Sequence, residues 1–284
     1  MRTKKRRRRL WWLFLVPVLL LGEAVWFRWQ CWGLQTTHTA VPVSGLAREL
    51  EGLRLAHLSD LHGHEYGEGS AELLALVGEE APDLIVITGD LIDRAEQLAM
   101  VPALARGLAA IAPTYYVTGN HEWATGAVKA LKGILAQGGV TVLSNRSEVA
   151  EWGGARFVLA GVDDPNGYAD QKTPEELAME IEREAPGLTT LLLAHRNDHF
   201  PVYAAVGYDL VLSGHGHGGI VRLPFTDGLL GTDRKLFPSR TAGVYTQGEC
   251  TLFVSRGLGN NTQPIQGFRL FNRPELAVIE LTSH

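Results

Sequence analysis

The residues best suited to chemistry in this sequence follow directly after short runs of branched apolar residues. The clearest case is residues 84–90, LIVITGD, in which an apolar run ends in a glycine and a carboxylate. Such a run predicts a fully buried strand, and ligands of open α/β sheets bind outside the carboxyl ends of the strands. Asp90 alone could simply cap the next turn, but the pattern recurs in four further runs. The seven side chains placed in this way are Asp60, His62, Asp90, Asn120, His195, His215 and His217.

These seven side chains offer two carboxylates, one amide and four imidazoles. Oxygen and nitrogen donors without thiolates suit Mn, Fe, Zn or Co, and the sequence does not choose among these metals. The Asp-x-His of residues 60–62 and the His-x-His of residues 215–217 place alternate side chains on one side of the chain. Because seven ligands exceed what one such ion takes from protein, we expect two divalent ions roughly 3.5–4 Å apart, bridged by a carboxylate.

The elements that position these residues alternate along the chain between apolar runs and amphipathic segments. This alternation predicts an α/β sandwich with its loops gathered on one edge. The acid pair Asp163-Asp164 precedes Pro165-Asn166-Gly167 and predicts a turn, and residues 218–249 are expected to form long irregular loops. Helices are expected at residues 70–80, 98–111 and 128–137 and from Thr173, with strands at residues 53–58, 84–88, 115–117, 156–161, 191–194 and 209–212.

The N-terminus combines a basic run at residues 4–9 with an apolar stretch that reaches Phe27, interrupted by Glu23. This length is close to the ~20 residues that a bilayer span needs. We expect a single-pass anchor with its N-terminus in the cytoplasm and the remainder of the chain extracytoplasmic. A cleaved signal peptide and a helix lying on the cytoplasmic membrane surface are the alternatives. Residues 1–30 are assigned to the anchor, residues 31–50 to a linker and edge strand, and residues 51–284 to one folded domain.

The net charge of −5 hides two regions of opposite sign. The first thirty residues hold eight of the 26 basic residues and one of the 31 acidic residues, so the remainder carries a charge of −12. A body this acidic is a poor partner for nucleic acid, because phosphate contacts need positive surface. The two cysteines, Cys31 and Cys250, support neither a disulfide scaffold nor a thiolate metal site.

Taken together in order, the motifs resemble those of the calcineurin-like metallophosphoesterases. The family's five motifs are D-x-H, G-D-x-x-D, G-N-H-E/D, a lone histidine and G-H-x-H, and the resemblance spans roughly residues 50–284. Within the family, the chain resembles the membrane-associated YaeI/YkuE-type phosphodiesterases through Gly218-Gly219 and the C-terminal segments 255–259 and 271–275. The five motifs appear here as residues 60–62, 89–93, 119–122, 195 and 214–217.

The resemblance implies a four-layer αββα sandwich, in which two mixed sheets are flanked by helices, and a role for each site residue. It implies that Asp60, His62 and His217 hold one ion, that Asn120, His195 and His215 hold the other, and that Asp90 bridges the two. His121 is not a ligand in this reading. It resembles the histidine that stabilises or protonates the leaving group.

Two departures from the family pattern are visible. Arg196-Asn197-Asp198 follows His195 where the family often has a proline, and Gln266-Gly267 interrupts a run near the C-terminus. We expect the first to change a loop that faces the substrate and the second to change the rim of the site. Neither removes an expected ligand.

Other histidines and acids near the motifs are expected to have less direct roles. His57 lies inside a predicted strand and is expected in the core, whereas His64 and His199 lie near the motifs but off their register. Asp93 and Glu122 are expected to orient metal-bound groups, because such groups need hydrogen-bonded partners.

The sequence thus predicts a membrane-anchored, monomeric phosphoesterase that uses two divalent ions to hydrolyse a phosphodiester or phosphomonoester, including one on a lipid-like or nucleotide-linked substrate. One alternative is hydrolysis of the pyrophosphate in a UDP-sugar lipid precursor. An alternative of another class is a catalytically inactive membrane scaffold of the same fold. A metallo-β-lactamase-type hydrolase is disfavoured, because residues 215–219 lack the Asp-His of its His-x-His-x-Asp-His motif.

Overall fold

The computed structural model describes residues 2–168, 171–260 and 267–283. Gln266, one of the two residues that interrupt the family pattern near the C-terminus, lies outside this part. The helices of the described residues are α1 (Arg2–Trp32), α2 (Ala71–Glu79), α3 (Val101–Ile111), α4 (Asn120–Thr125), α5 (Val128–Gln137), α6 (Pro174–Glu184) and α7 (Phe200–Ala205). The strands are β1 (Gln35–Val43), β2 (Arg54–Leu58), β3 (Leu84–Thr88), β4 (Thr114–Val117), β5 (Thr141–Val142), β6 (Arg146–Trp152), β7 (Ala155–Val162), β8 (Thr190–Ala194), β9 (Leu210–Ser213), β10 (Gly243–Gln247), β11 (Cys250–Val254) and β12 (Glu275–Ser283).

The strands form two mixed six-stranded sheets. The first sheet has the order β1-β12-β2-β3-β4-β5, and the second has the order β10-β11-β9-β8-β7-β6. Strands β2 to β5 run parallel to one another, as do β7, β8, β9 and β11. The antiparallel pairs β12–β2, β6–β7 and β10–β11 make both sheets mixed.

Side chains from successive strand residues enter different layers, as a period of two requires. In β2, Leu55 packs between the two sheets, while Ala56 and Leu58 pack against the helices outside the first sheet. Helices α2, α3 and α5 cover that outer face, and α6 and α7 cover the outer face of the second sheet. The four-layer αββα sandwich expected from the family resemblance is therefore confirmed.

Helix α1 contains the apolar stretch that was expected to form the anchor. Residues Trp11–Trp32 are long and apolar enough to cross a membrane, with a mean hydropathy of 1.5. The helix continues past the predicted boundary at residue 30, and Gln30 and Cys31 are buried against the folded domain. The predicted edge strand is β1, which pairs in parallel with β12 at the edge of the first sheet.

The irregular region is shorter than the sequence predicted. The chain is mostly irregular after His217, but β10 begins at Gly243 within the segment expected to be loop. Thr246 and Gln247 of this edge strand are exposed, so the strand lacks the apolar run by which the buried strands were recognised.

Candidate metal centre

All seven predicted ligands lie at one edge of the sandwich. Strands β2, β3 and β4 of the first sheet and β8 and β9 of the second sheet end there, and a predicted site residue follows each of them within three residues. The structure brings these side chains into one connected cluster. Its members are Asp60, His62, Asp90, Asn120, His195, His215 and His217, with His121 beside them.

The backbone turns sharply at these positions. Asp60, His62, Asp90, His215 and His217 all have a positive φ, between 46° and 65°. This left-handed region is uncommon for residues other than glycine, and such strained residues concentrate at functional sites. The strain lets a residue at a strand tip direct its side chain across the edge toward the other sheet.

One group of possible metal ligands consists of Asp60, His62 and His217. His217 Nε2 is 3.3 Å from Asp60 Oδ1 and 3.0 Å from His62 Nε2. The other nitrogen of His62, Nδ1, is 2.5 Å from Asp93 Oδ1. This bond assigns the hydrogen of a neutral His62 to Nδ1 and leaves the Nε2 lone pair facing the group.

A second group of possible ligands gathers around His195 Nε2. This atom lies 3.2 Å from Asp90 Oδ2, from Asn120 Oδ1 and from His215 Nδ1. His195 Nδ1 lies 2.7 Å from the carbonyl oxygen of Thr88, which fixes the ring so that Nε2 points into the group. His62 and His195, which follow strands of different sheets, are thus each held by a hydrogen bond at Nδ1 that directs Nε2 into the cluster.

The electrostatics of the cluster favour positive charge near Asp90. Burial raises the pKa of Asp90, but the charge and hydrogen bond of His195 outweigh it and hold that pKa well below its usual range. For His195, burial lowers the pKa, and Asp90 outweighs this effect and raises it to about 10. Burial lowers the pKa values of His215 and His217, so both are neutral rings with a lone pair to donate. A buried carboxylate that attracts positive charge, with imidazoles around it, is a donor set that fits a divalent cation.

His121 is partly buried, as are Asn120 and His215, whereas the other five members of the cluster are buried. Its side chain is 23% exposed, and its Nε2 lies 4.0 Å from Asp90 Oδ2. The ring is held by Asp93, whose Oδ1 is 2.8 Å from His121 Nδ1. Burial lowers the pKa of His121, but the hydrogen bond to Asp93 and the charges of Asp90, Asp93 and Glu122 outweigh it and raise the pKa to about 8. The ring is therefore largely protonated at neutral pH.

Comparison with known proteins identifies the family. The calcineurin-like phosphoesterase pattern matches residues 53–219. The phosphodiesterase YaeI of Escherichia coli (strain K12) is 32% identical over 235 residues, which cover 80% of this chain and 82% of that protein. The chain belongs to the calcineurin-like phosphoesterases.

Other relatives extend over most of this chain. The uncharacterized metallophosphoesterase YkuE of Bacillus subtilis is 29% identical over 259 residues, 88% of this chain and 86% of that protein. A transmembrane protein with metallophosphoesterase domain from Danio rerio is 33% identical over 261 residues, 85% of this chain and 56% of that protein. The recognition of the family from the five motifs is confirmed, and the transmembrane relative together with α1 indicates membrane association.

Glu122, the last residue of the family's G-N-H-E/D motif, lies beneath the metal centre. Its fully buried carboxylate accepts hydrogen bonds from the backbone N–H groups of Asp90 (3.0 Å), Leu91 (2.5 Å) and Gly119 (2.7 Å). Burial and the charge of Asp90 raise the pKa of Glu122 to about 7. Glu122 thus ties the Asp90 loop to the Gly119 loop, in keeping with the orienting role expected for it.

Asn120 and His121 lie in the first turn of α4, a six-residue helix that begins at Asn120. No strong helical signal is visible in the sequence at these positions. Gly119 precedes them in close contact with Asp90, and a Cβ at this position would overlap Asp90 Oδ1. The motif therefore has a glycine before Asn-His because the ends of β3 and β4 approach closely at this point.

The acid pair Asp163-Asp164 does more than form the predicted turn. Asp164 Oδ1 accepts from the N–H of Asn166, as a turn requires, but Asp164 also pairs with Arg196 at 2.6 Å. Asp163 Oδ2 pairs with Lys132 at 2.6 Å. The sequence could not show these ion pairs, because their partners lie at least 31 residues away.

Two arginines that sequence reasoning did not assign to the site contact its histidines. Asp164 holds Arg196 through Nε, and Arg196 Nη1 lies 3.2 Å from His215 Nε2. Arg269 is 1% exposed and places Nη2 3.4 Å from His217 Nδ1. In the sequence, Arg196 is visible only as a departure from the family pattern. Arg269 had no signal at all, because it follows no apolar run.

Three further histidines, His57, His64 and His199, lie outside the cluster. His57 is buried in β2, where burial lowers its pKa to about 3, and its Nε2 is 2.8 Å from Thr88 Oγ1. His64 packs against Trp32, with ring centroids 4.5 Å apart. His199 precedes α7 and lies 6.3 Å from the ring of Tyr203.

We expect Glu122→Gln to loosen the Asp90 loop. A carboxylate accepts three backbone hydrogen bonds here, whereas the amide group of glutamine would turn an N–H donor toward another donor. Leaving a buried donor unsatisfied costs about 1–3 kcal/mol, so calorimetry of the metal-free protein in detergent should show a lower Tm. Glu65→Gln is the matched control, because Glu65 also accepts a backbone hydrogen bond, from Gly69, but at an exposed site. Equal shifts for the two variants would contradict the buried clamp.

Proposed function

We propose that this protein is a phosphoesterase that uses two divalent cations to hydrolyse a phosphodiester or phosphomonoester bond. Asp60, His62 and His217 would hold one cation, Asn120, His195 and His215 the other, and Asp90 would contact both. Bound at such a site, divalent cations lower the pKa of a water molecule toward neutrality and stabilise the phosphate oxygens during in-line attack. The name of the relative YaeI, a phosphodiesterase, favours a diester.

The position of Asp90 Oδ2 is the observation that carries this proposal. This oxygen is 3.2 Å from His195 Nε2 in one group and 3.9 Å from His62 Nε2 in the other. Asp90 Oδ1 accepts a hydrogen bond of 2.9 Å from the backbone N–H of His121, and Glu122 fixes the backbone N–H of Asp90. A carboxylate held at three points between two donor sets is suited to bridge two cations.

The first test is the metal content of Asp90→Ala. We expect this variant to lose both tightly bound ions and all activity, because two cations at close range repel strongly without a shared anion. Metal analysis of the purified full-length protein, beside a wild-type sample, measures the loss. Asp163→Asn is the control, since Asp163 is a buried acid of the same region that pairs with Lys132 instead. Two tightly bound ions per chain in Asp90→Ala would refute the bridging role.

We propose that His121 stabilises or protonates the leaving group. Its ring is partly exposed, and Asp93 orients it while raising its pKa to about 8. A positioned acid with a pKa near the working pH contributes about 10²–10⁴-fold to rate. His121→Gln should therefore retain both metals while kcat falls by that order.

Leaving-group dependence separates the two roles of His121. The fall in kcat should be smaller for nitrophenyl esters, whose leaving group needs little protonation, than for alkyl esters. Asp93→Asn should move the alkaline limb of the pH–rate profile to lower pH, because the loss of the Asp93 carboxylate lowers the pKa of His121. Loss of metal in His121→Gln would instead make His121 a ligand.

We propose that Arg196 binds a phosphate oxygen of the substrate. Asp164 holds the guanidinium, and Nη1 is directed toward His215 Nε2. If His215 held a cation through Nδ1, its Nε2 would carry the hydrogen, and two N–H donors would face the same space. That arrangement suits an anionic oxygen.

We expect Arg196→Gln to weaken inhibition by inorganic phosphate by roughly 10- to 100-fold, the worth of one hydrogen bond to a charged group. KM should rise with a smaller change in kcat, and the metal content should stay at the wild-type value. Arg183→Gln is the control, because Arg183 is an exposed arginine of α6 that pairs with Glu184. An unchanged inhibition constant in Arg196→Gln would exclude the phosphate contact.

The alternatives from the sequence are separated by one substrate panel. Hydrolysis of UDP-sugar pyrophosphates in preference to simple diesters would favour the lipid-precursor pyrophosphatase. Absence of turnover on monoesters, diesters and pyrophosphates with Mn, Zn, Fe or Mg, in protein that binds two metals, would favour the inactive scaffold. The extracytoplasmic orientation is part of the proposal, and digestion of the folded domain by protease added to inverted vesicles would overturn it.

A further inference from the structure

The membrane helix joins the folded domain at the edge that carries the metal centre. Strand β1 is parallel to β12, and β12 is antiparallel to β2. β1 therefore runs opposite to β2, and its amino end at Gln35 lies near the carboxyl end of β2, which leads into Asp60. Helix α1 ends at Trp32, three residues before β1. The topology thus brings the anchor to the site-bearing edge rather than to the opposite edge.

The last turns of α1 are fixed to the domain by several contacts. Cys31 is 3% exposed, and its Sγ lies 3.4 Å from the backbone nitrogen of Arg269. The guanidinium of Arg273 stacks 4.1 Å above the ring of Trp29 and donates to the carbonyl oxygen of Gly33. These contacts fix the end of α1 to the domain, so the direction of α1 determines how the domain meets a bilayer.

The depth of the bilayer along α1 follows from its sequence. The apolar stretch from Leu10 to Phe27 contains 18 residues and spans about 27 Å at 1.5 Å per residue. This length is close to the ~30 Å hydrocarbon core of a bilayer. Trp26 and Phe27 then lie at the boundary with the headgroups, where tryptophan is enriched.

A patch of exposed apolar residues lies at the same level as Trp26. We define it as the 223–271 patch, made of Leu223, Pro224, Phe225 and Phe271. The ring of Phe271 is 5.7 Å from the ring of Trp26, and the four patch residues line a groove of about 420 Å³ with Arg222 and Thr226. Phe225 is fully exposed and Phe271 is 56% exposed. Apolar residues grouped in this way mark interaction sites, whereas singly scattered ones do not.

The backbone conformation disfavours phenylalanine at both of the phenylalanine positions of the patch. Phe225 has φ 65° and Phe271 has φ 53°, a region that is unfavourable for bulky residues and is normally occupied by glycine or asparagine. Neither ring is buried by the domain, so burial within the fold offsets little of this strain. Burial against an apolar partner outside the chain would offset it.

We propose that the 223–271 patch is a second membrane contact, which inserts into the bilayer beside Trp26 and holds the site-bearing edge against the lipid surface. The bilayer is the occupant because the patch is continuous with the membrane helix through the Trp26–Phe271 pair. Exposed Arg28 and the guanidinium of Arg273 lie next to this part of α1, where their positive charges attract anionic headgroups.

The patch is also connected to the candidate metal centre. Asn272, which follows Phe271, donates from Nδ2 to the carbonyl oxygens of His217 (2.7 Å) and Ile220 (3.2 Å). The backbone that presents a possible metal ligand is therefore tied to the residue next to the inserted ring. This placement indicates that the substrate is a phosphoester of a membrane lipid, which is cleaved at the level of the headgroups. This assignment of the substrate class rests on the proposed function.

The membrane contact is tested independently of activity by lipid quenching. Phe225→Cys in the full-length protein is labelled with the fluorophore NBD and reconstituted into vesicles that contain lipids spin-labelled in the acyl chain. Both native cysteines are buried, at 3% and 2% exposure, so the label reports position 225. Glu51→Cys is the control, because Glu51 is exposed at the amino end of β2, on the edge opposite to the site. Strong quenching at position 225 and none at position 51 is expected, and equal quenching would overturn the contact.

The substrate class is tested with two diesters that share one reacting centre. Hexadecyl 4-nitrophenyl phosphate in vesicles and methyl 4-nitrophenyl phosphate in solution have the same leaving group. Phe225→Asp/Phe271→Asp should lower kcat/KM for the hexadecyl ester by about tenfold or more, since each ring loses its apolar burial, and leave the methyl ester unchanged. Equal losses on both esters would overturn the inference. Failure of the wild-type protein to cleave either ester would count against the proposed function, while the quenching result still decides the contact.

Discussion

The burial of the Asp90 carboxylate is the constraint on which the rest of the site depends. A buried charge is tolerated only when it is paired and hydrogen-bonded, and Asp90 meets this requirement with groups from both sheets. His195 comes from β8 of the second sheet, and the backbone N–H of His121 comes from the tip of β4 in the first. Glu122 is the carboxylate that holds the Asp90 backbone. Since the partners of this carboxylate follow β8 of one sheet and β4 of the other, the carboxyl ends of the two sheets must lie side by side at one edge of the sandwich, as they do here.

The same requirement explains why the strand tips are strained and glycine-rich. Side chains from facing sheets reach one another only if the chain turns sharply after each strand, which accounts for the positive φ of five cluster residues. The backbone must then pack closely around those side chains. At Gly257, which also has a positive φ, a Cβ would lie 2.7 Å from Asp60 Cβ. The cost of strain at each tip is met by the packing of the sheets below, where β2, β3, β8 and β9 contribute fully buried residues to the core.

Much of the fold and the residues of the site were predictable because both leave local signals. Buried parallel strands appear as apolar runs, and a residue such as Asp90 or His195 is recognised by following one directly. Long-range features left no such signal. Edge strand β10 has exposed polar residues, Arg196 acts through an ion pair with Asp164 across 32 residues, and Arg269 reaches His217 across 52. What the sequence conceals here are the partners of buried charges, which depend on the packing of distant loops.

Arg269 shows how the anchor and the site depend on each other. Its buried guanidinium donates to the carbonyl oxygens of Arg256 (2.8 Å) and Gly259 (2.6 Å) and to Asn260 Oδ1 (2.7 Å), while its Nη2 lies beside His217. Asn260 in turn donates to the carbonyl oxygen of Cys31 at the end of α1. A charged group without an acid partner in this set is stabilised by carbonyl dipoles, and each of those carbonyls must stay in place. One of the contacts that hold this loop therefore comes from helix α1, so this helix belongs to the structure around the candidate metal centre.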